Sequence, residues 1–322
     1  MFVLCTSMFV LWASMFVLDS FAPRSAFERG TISEGERTIG AASRTKIEGA
    51  RTISEKMSMH EAYAELPGVR LWYRDSGGSG IPVVFLHAAT GSSGVWEHQE
   101  QAFVTAGYRF IAYDRRGFGR TVVEPSTTAS GATGADDLQS LLNHLRIDRV
   151  HLVGTAAGAF VCLDYALSFP QRLRSLVLAN TVGGVQDEDY LALGRRLRPP
   201  AFAALPPEFR ELGPSYRASS AAGTERWIDL ERTSRPGNHD ATPSPTQPMR
   251  NRITFASLET IAVPTLLLTG DADLYAPPAV LRLFAARIKG AESVIVPEAG
   301  HSAYWEQPLI FNRAVLEFIR KH

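Results

Sequence analysis

Residues 150–160, VHLVGTAAGAF, constrain this chain more than any other stretch. Residues 150–153 are a short apolar run with β-branched members, the mark of a buried strand. A helical pattern starts at Ala157 and is stopped by Pro170. Between them, Gly154 and Gly158 bracket a sharp turn. A strand, a Gly-bracketed turn and a helix are the setting of the motif G-x-S-x-G, which holds a serine hydroxyl exposed at a strained tip. Here the tip residue is Ala156. A methyl group cannot attack a carbonyl, so any chemistry on this turn needs its reactive group from elsewhere.

The surrounding pattern is that of an α/β domain spanning residues 57–322. Residues 62–66 and 69–73, separated by Pro67-Gly68, predict a β-hairpin. The continuous apolar run 81–86 predicts a strand buried on both faces and 108–113 predicts the next buried strand, with a helix over 95–106 between them. Leu138, Leu141, Leu142 and Leu145 share one helical face. Strands follow at 150–153 and 173–178. Residues 183–257, rich in arginine, proline and alanine, break the rhythm and read as a cap inserted over the sheet. Alternation resumes with strands at 264–269 and 293–296 and helices at 277–288 and 308–320. That pattern predicts eight strands in a mostly parallel sheet with helices on both faces and ligands at the strands' carboxyl ends.

Four landmarks occur in a telling order. They are His87-Ala88-Ala89, the run DRRGFGRT from Asp114 to Thr121, the turn at 154–158, and GDAD from Gly270 to Asp273 followed by Gly300-His301. On these residues, from about 62 to 322, the chain resembles the α/β-hydrolase fold superfamily, with alanine in place of the nucleophile-elbow serine. The resemblance implies a catalytic acid at Asp273, with Asp271 as local rival, and a catalytic histidine at His301. A carboxylate beside an imidazole fixes its tautomer and stabilises its protonated form, leaving the other ring nitrogen to move a proton near neutral pH. It further implies an oxyanion hole from the backbone N–H groups of Ala89 and Ala157, though Ala88 stands where family members often have glycine. His87, Asp114 and Arg116 are expected to be structural.

Substitute nucleophiles are few. Thr155 precedes the tip, Thr90, Ser92 and Ser93 lie near the oxyanion loop, and Cys162 sits well along the helix. Three functional readings stay open. The first is a hydrolase acting on a small carbonyl compound, such as an ester, a lactone or a cleavable carbon–carbon bond, but lacking its serine. The second is a serine-less lyase or cofactor-free enzyme using His301 as base, and the third a catalytically silent ligand-binding protein. The cap offers Tyr190, Phe202, Phe209, Tyr216 and Trp227, and Trp96 and Trp305 flank the expected site. Trp96, Trp227 and Trp305 are therefore expected at the substrate pocket, where an arginine of the cap could pair with a substrate carboxylate.

No cofactor or metal is expected. Lysine plus arginine balances aspartate plus glutamate at 33 each, so nothing points to nucleic acid. The expected partner is a small-molecule substrate, and the sequence leaves oligomeric state open. Two cysteines without disulfide or zinc spacing suit a cytoplasmic protein. Residues 1–56 stand apart. MFVL recurs at Met1, Met8 and Met15, and Arg-Thr at Arg37, Arg44 and Arg51, a seven-residue period. A translated tandem repeat ahead of a start at Met57 or Met59, a targeting or membrane segment, and a coiled coil all compete. Residues 1–18 carry no charge, but a positive leading region is missing, and isoleucine alone is too little for a coiled-coil seam.

Overall fold

A computed structural model describes residues 59–124, 132–181, 183–235, 245 and 248–322. The repetitive segment 1–56, with every expectation placed on it, lies outside the described residues.

The strands in chain order are β1 (His60–Leu66), β2 (Val69–Asp75), β3 (Pro82–Leu86), β4 (Arg109–Tyr113), β5 (Val122–Val123), β6 (Val150–Thr155), β7 (Leu173–Ala179), β8 (Thr265–Gly270) and β9 (Glu292–Val296). The helices are α1 (Glu97–Thr105), α2 (Gly134–His144), α3 (Ala157–Ser168), α4 (Glu188–Leu197), α5 (Pro200–Ala203), α6 (Pro207–Glu211), α7 (Pro214–Ser219), α8 (Ala221–Arg232), α9 (Phe255–Leu258), α10 (Pro278–Ala285), α11 (Ala303–Glu306) and α12 (Pro308–Ile319). One sheet runs in the order β1-β2-β4-β3-β6-β7-β8-β9, with β5 paired to β2. The eight expected strands are all present, and β5, only two residues long, is the ninth. Pairings from β4 through β9 are parallel, whereas β2 meets β1, β4 and β5 antiparallel.

Alternation divides the core. Val84 and Leu86 of β3, Leu152 of β6 and Leu176 of β7 face a cluster that includes Leu138, Leu141, Ala159 and Phe284. Val83, Phe85, Val153 and Val177 face the opposite cluster, with Phe103, Phe311 and Val315. Both faces are covered, which is why these strands read as unbroken apolar runs. The chain leaves β3 for the α1 face and β6 for the α3 face. β3 and β6 are neighbours, so their carboxyl ends flank the switch point where open α/β sheets bind ligands.

Polar groups fix the loops around that point. Asp114 Oδ1 accepts from the Ser93 N–H at 2.7 Å and Oδ2 from the Arg120 N–H at 2.8 Å. Arg116 donates twice to Asp137 of α2, at 3.0 and 2.7 Å. His87 is buried, its Nε2 accepting from the Arg115 N–H at 3.0 Å, so Nδ1 carries the proton it donates to the Ala88 carbonyl at 2.7 Å.

The glycines of the turn are needed for close approach. A Cβ on Gly158 would stand 2.3 Å from the Leu86 carbonyl oxygen and 2.6 Å from that of His87; one on Gly154 would stand 2.5 Å from Cys162 Sγ. Gly158→Ala therefore collides with backbone that cannot turn aside. It is expected to lower stability by about 3 kcal/mol, read as a fall in the urea midpoint at unchanged slope.

Candidate active site

The tip of the turn is built around alanine. Ala156 has φ 48° and ψ −118°, a conformation costing an L-residue on the order of 1–3 kcal/mol. The surroundings hold it there. Its N–H donates to the Ala179 carbonyl at 2.9 Å, and its carbonyl accepts from the Ala159 N–H at 3.1 Å and Thr181 Oγ1 at 3.0 Å. The helix α3 starts at the next residue.

Opposite stands a buried acid–base pair. Asp273, three residues beyond the end of β8, places both carboxylate oxygens 2.9 Å from His301 Nδ1. The carboxylate also accepts from the Tyr275 and Ala276 N–H groups at 2.8 Å each, and from Asn180 Nδ2 and Thr269 Oγ1 at 3.0 Å each. Burial opposes ionisation of Asp273, but the His301 charge and these donors outweigh it and hold its pKa below the ordinary 3.8. Burial likewise opposes the imidazolium of His301. The Asp273 carboxylate, then Glu211 and Glu306, more than compensate, raising its pKa above 6.5. Nδ1–H is thus directed at Asp273 and Nε2 is the free ring nitrogen. Asp271, the rival acid, is exposed, and its hydrogen bond runs from its own N–H to the Val296 carbonyl.

A cavity of about 370 Å³ collects these elements. Ala88, Ala89, Ala156, Ala157, Asn180 and His301 line it together with Phe160, Tyr275, Arg198, Arg210 and Glu211. Among the described residues the N–H groups of Ala89 and Ala157 have no protein acceptor, and that of Ala157 lies at the positive end of α3. Of the substitute nucleophiles, only Thr90 lines this cavity. Ser92 and Ser93 line a separate surface groove. Thr155 is buried in β6, and burial pushes the Cys162 thiol far above its ordinary pKa beneath the turn.

A model of the alpha/beta hydrolase family matches residues 83–314. The chain belongs to the α/β hydrolase family. The Caulobacter protein RutD, named as a carbamate hydrolase, is 33% identical over 256 residues, covering 73% of this chain and 90% of RutD. A 2-hydroxy-6-oxononadienedioate/2-hydroxy-6-oxononatrienedioate hydrolase of Comamonas testosteroni is 26% identical over 278 residues, covering 79% of this chain and 92% of its own. Among solved structures, an esterase of Thermogutta terrifontis has a TM-score of 0.66 at 27% identity, covering 82% of this chain and 98% of the esterase. A bromoperoxidase of Bacillus anthracis has a TM-score of 0.63 at 26% identity, covering 82% and 100%.

The three tryptophans expected at the pocket of this hydrolase do not line the cavity. Trp96 packs against Phe85 and Tyr304 in the α1-side core, at ring separations of 5.1 and 4.8 Å. Trp227 is buried in the same cluster, as is Trp305, whose Nε1 donates to the Gly223 carbonyl at 3.3 Å. Indoles supply more apolar area than any other side chain, and here that area seats the insert and the C-terminal helices on the sheet. The rings that do line the cavity are Tyr275 and Phe160. Tyr275 lies over His301 with ring centroids 4.4 Å apart. Sequence reasoning missed Asn180, which clamps Asp273 and also donates to the Gly300 carbonyl at 3.1 Å. Its φ of 47° is one that asparagine tolerates better than most residues, a signal available from its place directly after an apolar strand.

The shifted groups predict how stability depends on pH. The raised pKa of His301 gives stability that is complete below about 6.5 and is lost as pH rises through the higher folded value. Burial lifts Glu306 from 4.5 to about 7 despite three backbone N–H donors, which costs stability in the same direction over that interval. The lowered pKa of Asp273 acts at the acid end, where stability is lost as pH falls below 3.8 through the folded value. The melting temperature is therefore expected to decline from pH 5 toward 9 and, separately, below pH 4. In His301→Gln the part of the decline above about pH 7, beyond the Glu306 interval, should disappear.

Proposed function

We propose that this hydrolase cleaves small esters or lactones by direct attack of water, with His301 as general base and no covalent intermediate. The observation that carries the reading is the side-by-side presence of Ala156 at a fully formed elbow tip and a buried His301–Asp273 pair on the same cavity. His301 Nε2 takes a proton from water as the water oxygen bonds to the carbonyl carbon. The oxygen of the resulting tetrahedral intermediate takes its hydrogen bonds from the Ala89 and Ala157 N–H groups. The imidazolium, balanced by Asp273, then returns the proton to the departing oxygen as the acyl–oxygen bond breaks.

General-base assistance is worth about 10²–10⁴-fold, and each oxyanion donor about 10²–10³. Together they give substantial catalysis without a nucleophile on the chain. The esterase and carbamate hydrolase among the relatives fit the same kind of carbonyl substrate. A purely ligand-binding role would leave a buried, desolvated charge pair without use. The test is turnover of p-nitrophenyl acetate and dihydrocoumarin with and without a serine-directed sulfonyl fluoride. Linear, reagent-insensitive turnover supports the reading, and inhibition with covalent labelling overturns it.

A further inference from the structure

The insert brings two guanidinium groups to this cavity, and both are fixed through Tyr275. Arg198, just past α4, donates from Nη1 to the Tyr275 carbonyl at 2.8 Å. Arg210 of α6 donates from Nη1 to the Tyr275 hydroxyl at 3.2 Å. Arg210 Nε is buried and has no acceptor among the described residues. Among the described residues, neither guanidinium is within ion-pair distance of a carboxylate. Arg198 lies back along α4, where a Cβ on Gly194 would stand 2.8 Å from its Nη2. Arg198 and Phe160 also line an adjoining cavity of about 360 Å³ with Val185 and Tyr190, so Arg198 stands where the two meet.

Two partly buried cations that keep free donors on a cavity wall are costly unless an anion joins them. Besides Tyr275, the other titratable groups lining the cavity are Glu211, Glu231, Arg235 and His301, of which Glu231 and Arg235 have partners of their own. Asp273 is committed to His301. Burial raises the pKa of Glu211, with the charges of His301 and Arg210 opposing it.

We propose that Arg198 and Arg210 form a carboxylate-binding wall, so that the substrate is a small acid carrying its carboxylate on the part remote from the scissile carbonyl. The planar fork of arginine suits a carboxylate's two oxygens. Because Tyr275 touches both guanidiniums and its ring lies tilted against that of His301, a carboxylate held there would fix the rest of a short molecule against the acid–base pair. This rests on the cavity being the substrate site, but its test reads binding and not turnover.

Calorimetry on the full chain would compare succinamate, which carries one carboxylate, with its neutral isostere succinamide and with inorganic phosphate. Succinamate should bind at least about tenfold tighter than succinamide, the scale of one charge-assisted hydrogen bond. Arg198→Gln and Arg210→Gln should each remove most of that preference. Arg198→Lys should restore part of it, and matched melting temperatures check folding. Equal binding of the two amides, a preference that survives both substitutions, or phosphate binding tighter than succinamate and lost in the same variants, would overturn the proposal. A protein with this preference and no hydrolysis would refute the proposed reaction and leave the carboxylate wall standing.

Discussion

Ala156→Ser is expected to raise aryl-ester turnover by at least about 10³-fold. In serine hydrolases, loss of the nucleophile costs about 10⁶ in kcat, and restoring it regains whatever part of that the surrounding groups are placed to use. Here the hard parts are in place. The backbone at 156 is already at φ 48° and ψ −118°, so a serine needs no new strain. His301 Nδ1 is held by Asp273, the tautomer that lets Nε2 accept the serine proton. Serine adds one oxygen at the cavity wall, so folding should be unaffected. The kinetics should change in form as well, from linear product release to a burst followed by slower deacylation. An unchanged rate would mean that His301 does not reach the tip.

Removing the base or its partner should act in the opposite direction on the protein as it stands. His301→Ala is expected to lower kcat/KM for lactone hydrolysis by at least about 10²-fold, the low end of general-base assistance, with little change in KM. Asp273→Asn should cost a similar factor by releasing the imidazole into the other tautomer. Asp273→Ala carries a further penalty. It leaves the Tyr275 and Ala276 N–H groups, Asn180 Nδ2 and Thr269 Oγ1 without the acceptor they share. A loss of about 3–5 kcal/mol is expected in urea unfolding, the range for breaking a buried charge pair.

The sheet was legible because its strands announce themselves locally. Runs such as PVVFL and TLLLTG are buried on both faces, and periodicity reports that directly. The two-residue β5 was not, since two valines carry no pattern. At the site, residues fixed by the turn itself or lying at strand ends could be named: Ala156 and Ala157, Asp273, His301. The cavity wall could not. Arg198, the adjacent Arg210 and Glu211, and Tyr275 come from three separate places in the chain and meet only through the folding of the insert. An aromatic residue in sequence does not say whether it faces ligand or core. Trp227 and Trp305 were absorbed by the core because the insert and the C-terminal helices need apolar mass to hold them on the sheet.

The central claim is hydrolysis at an elbow that lacks a nucleophile, and intact-protein mass spectrometry during turnover of p-nitrophenyl acetate tests it most directly. The account predicts that the protein turns the ester over with no acetyl group on any side chain, while Ala156→Ser accumulates one acetyl group at position 156. Acetylation of the unsubstituted protein, for instance on Thr90, would contradict it, as would the absence of turnover on every ester and lactone tried.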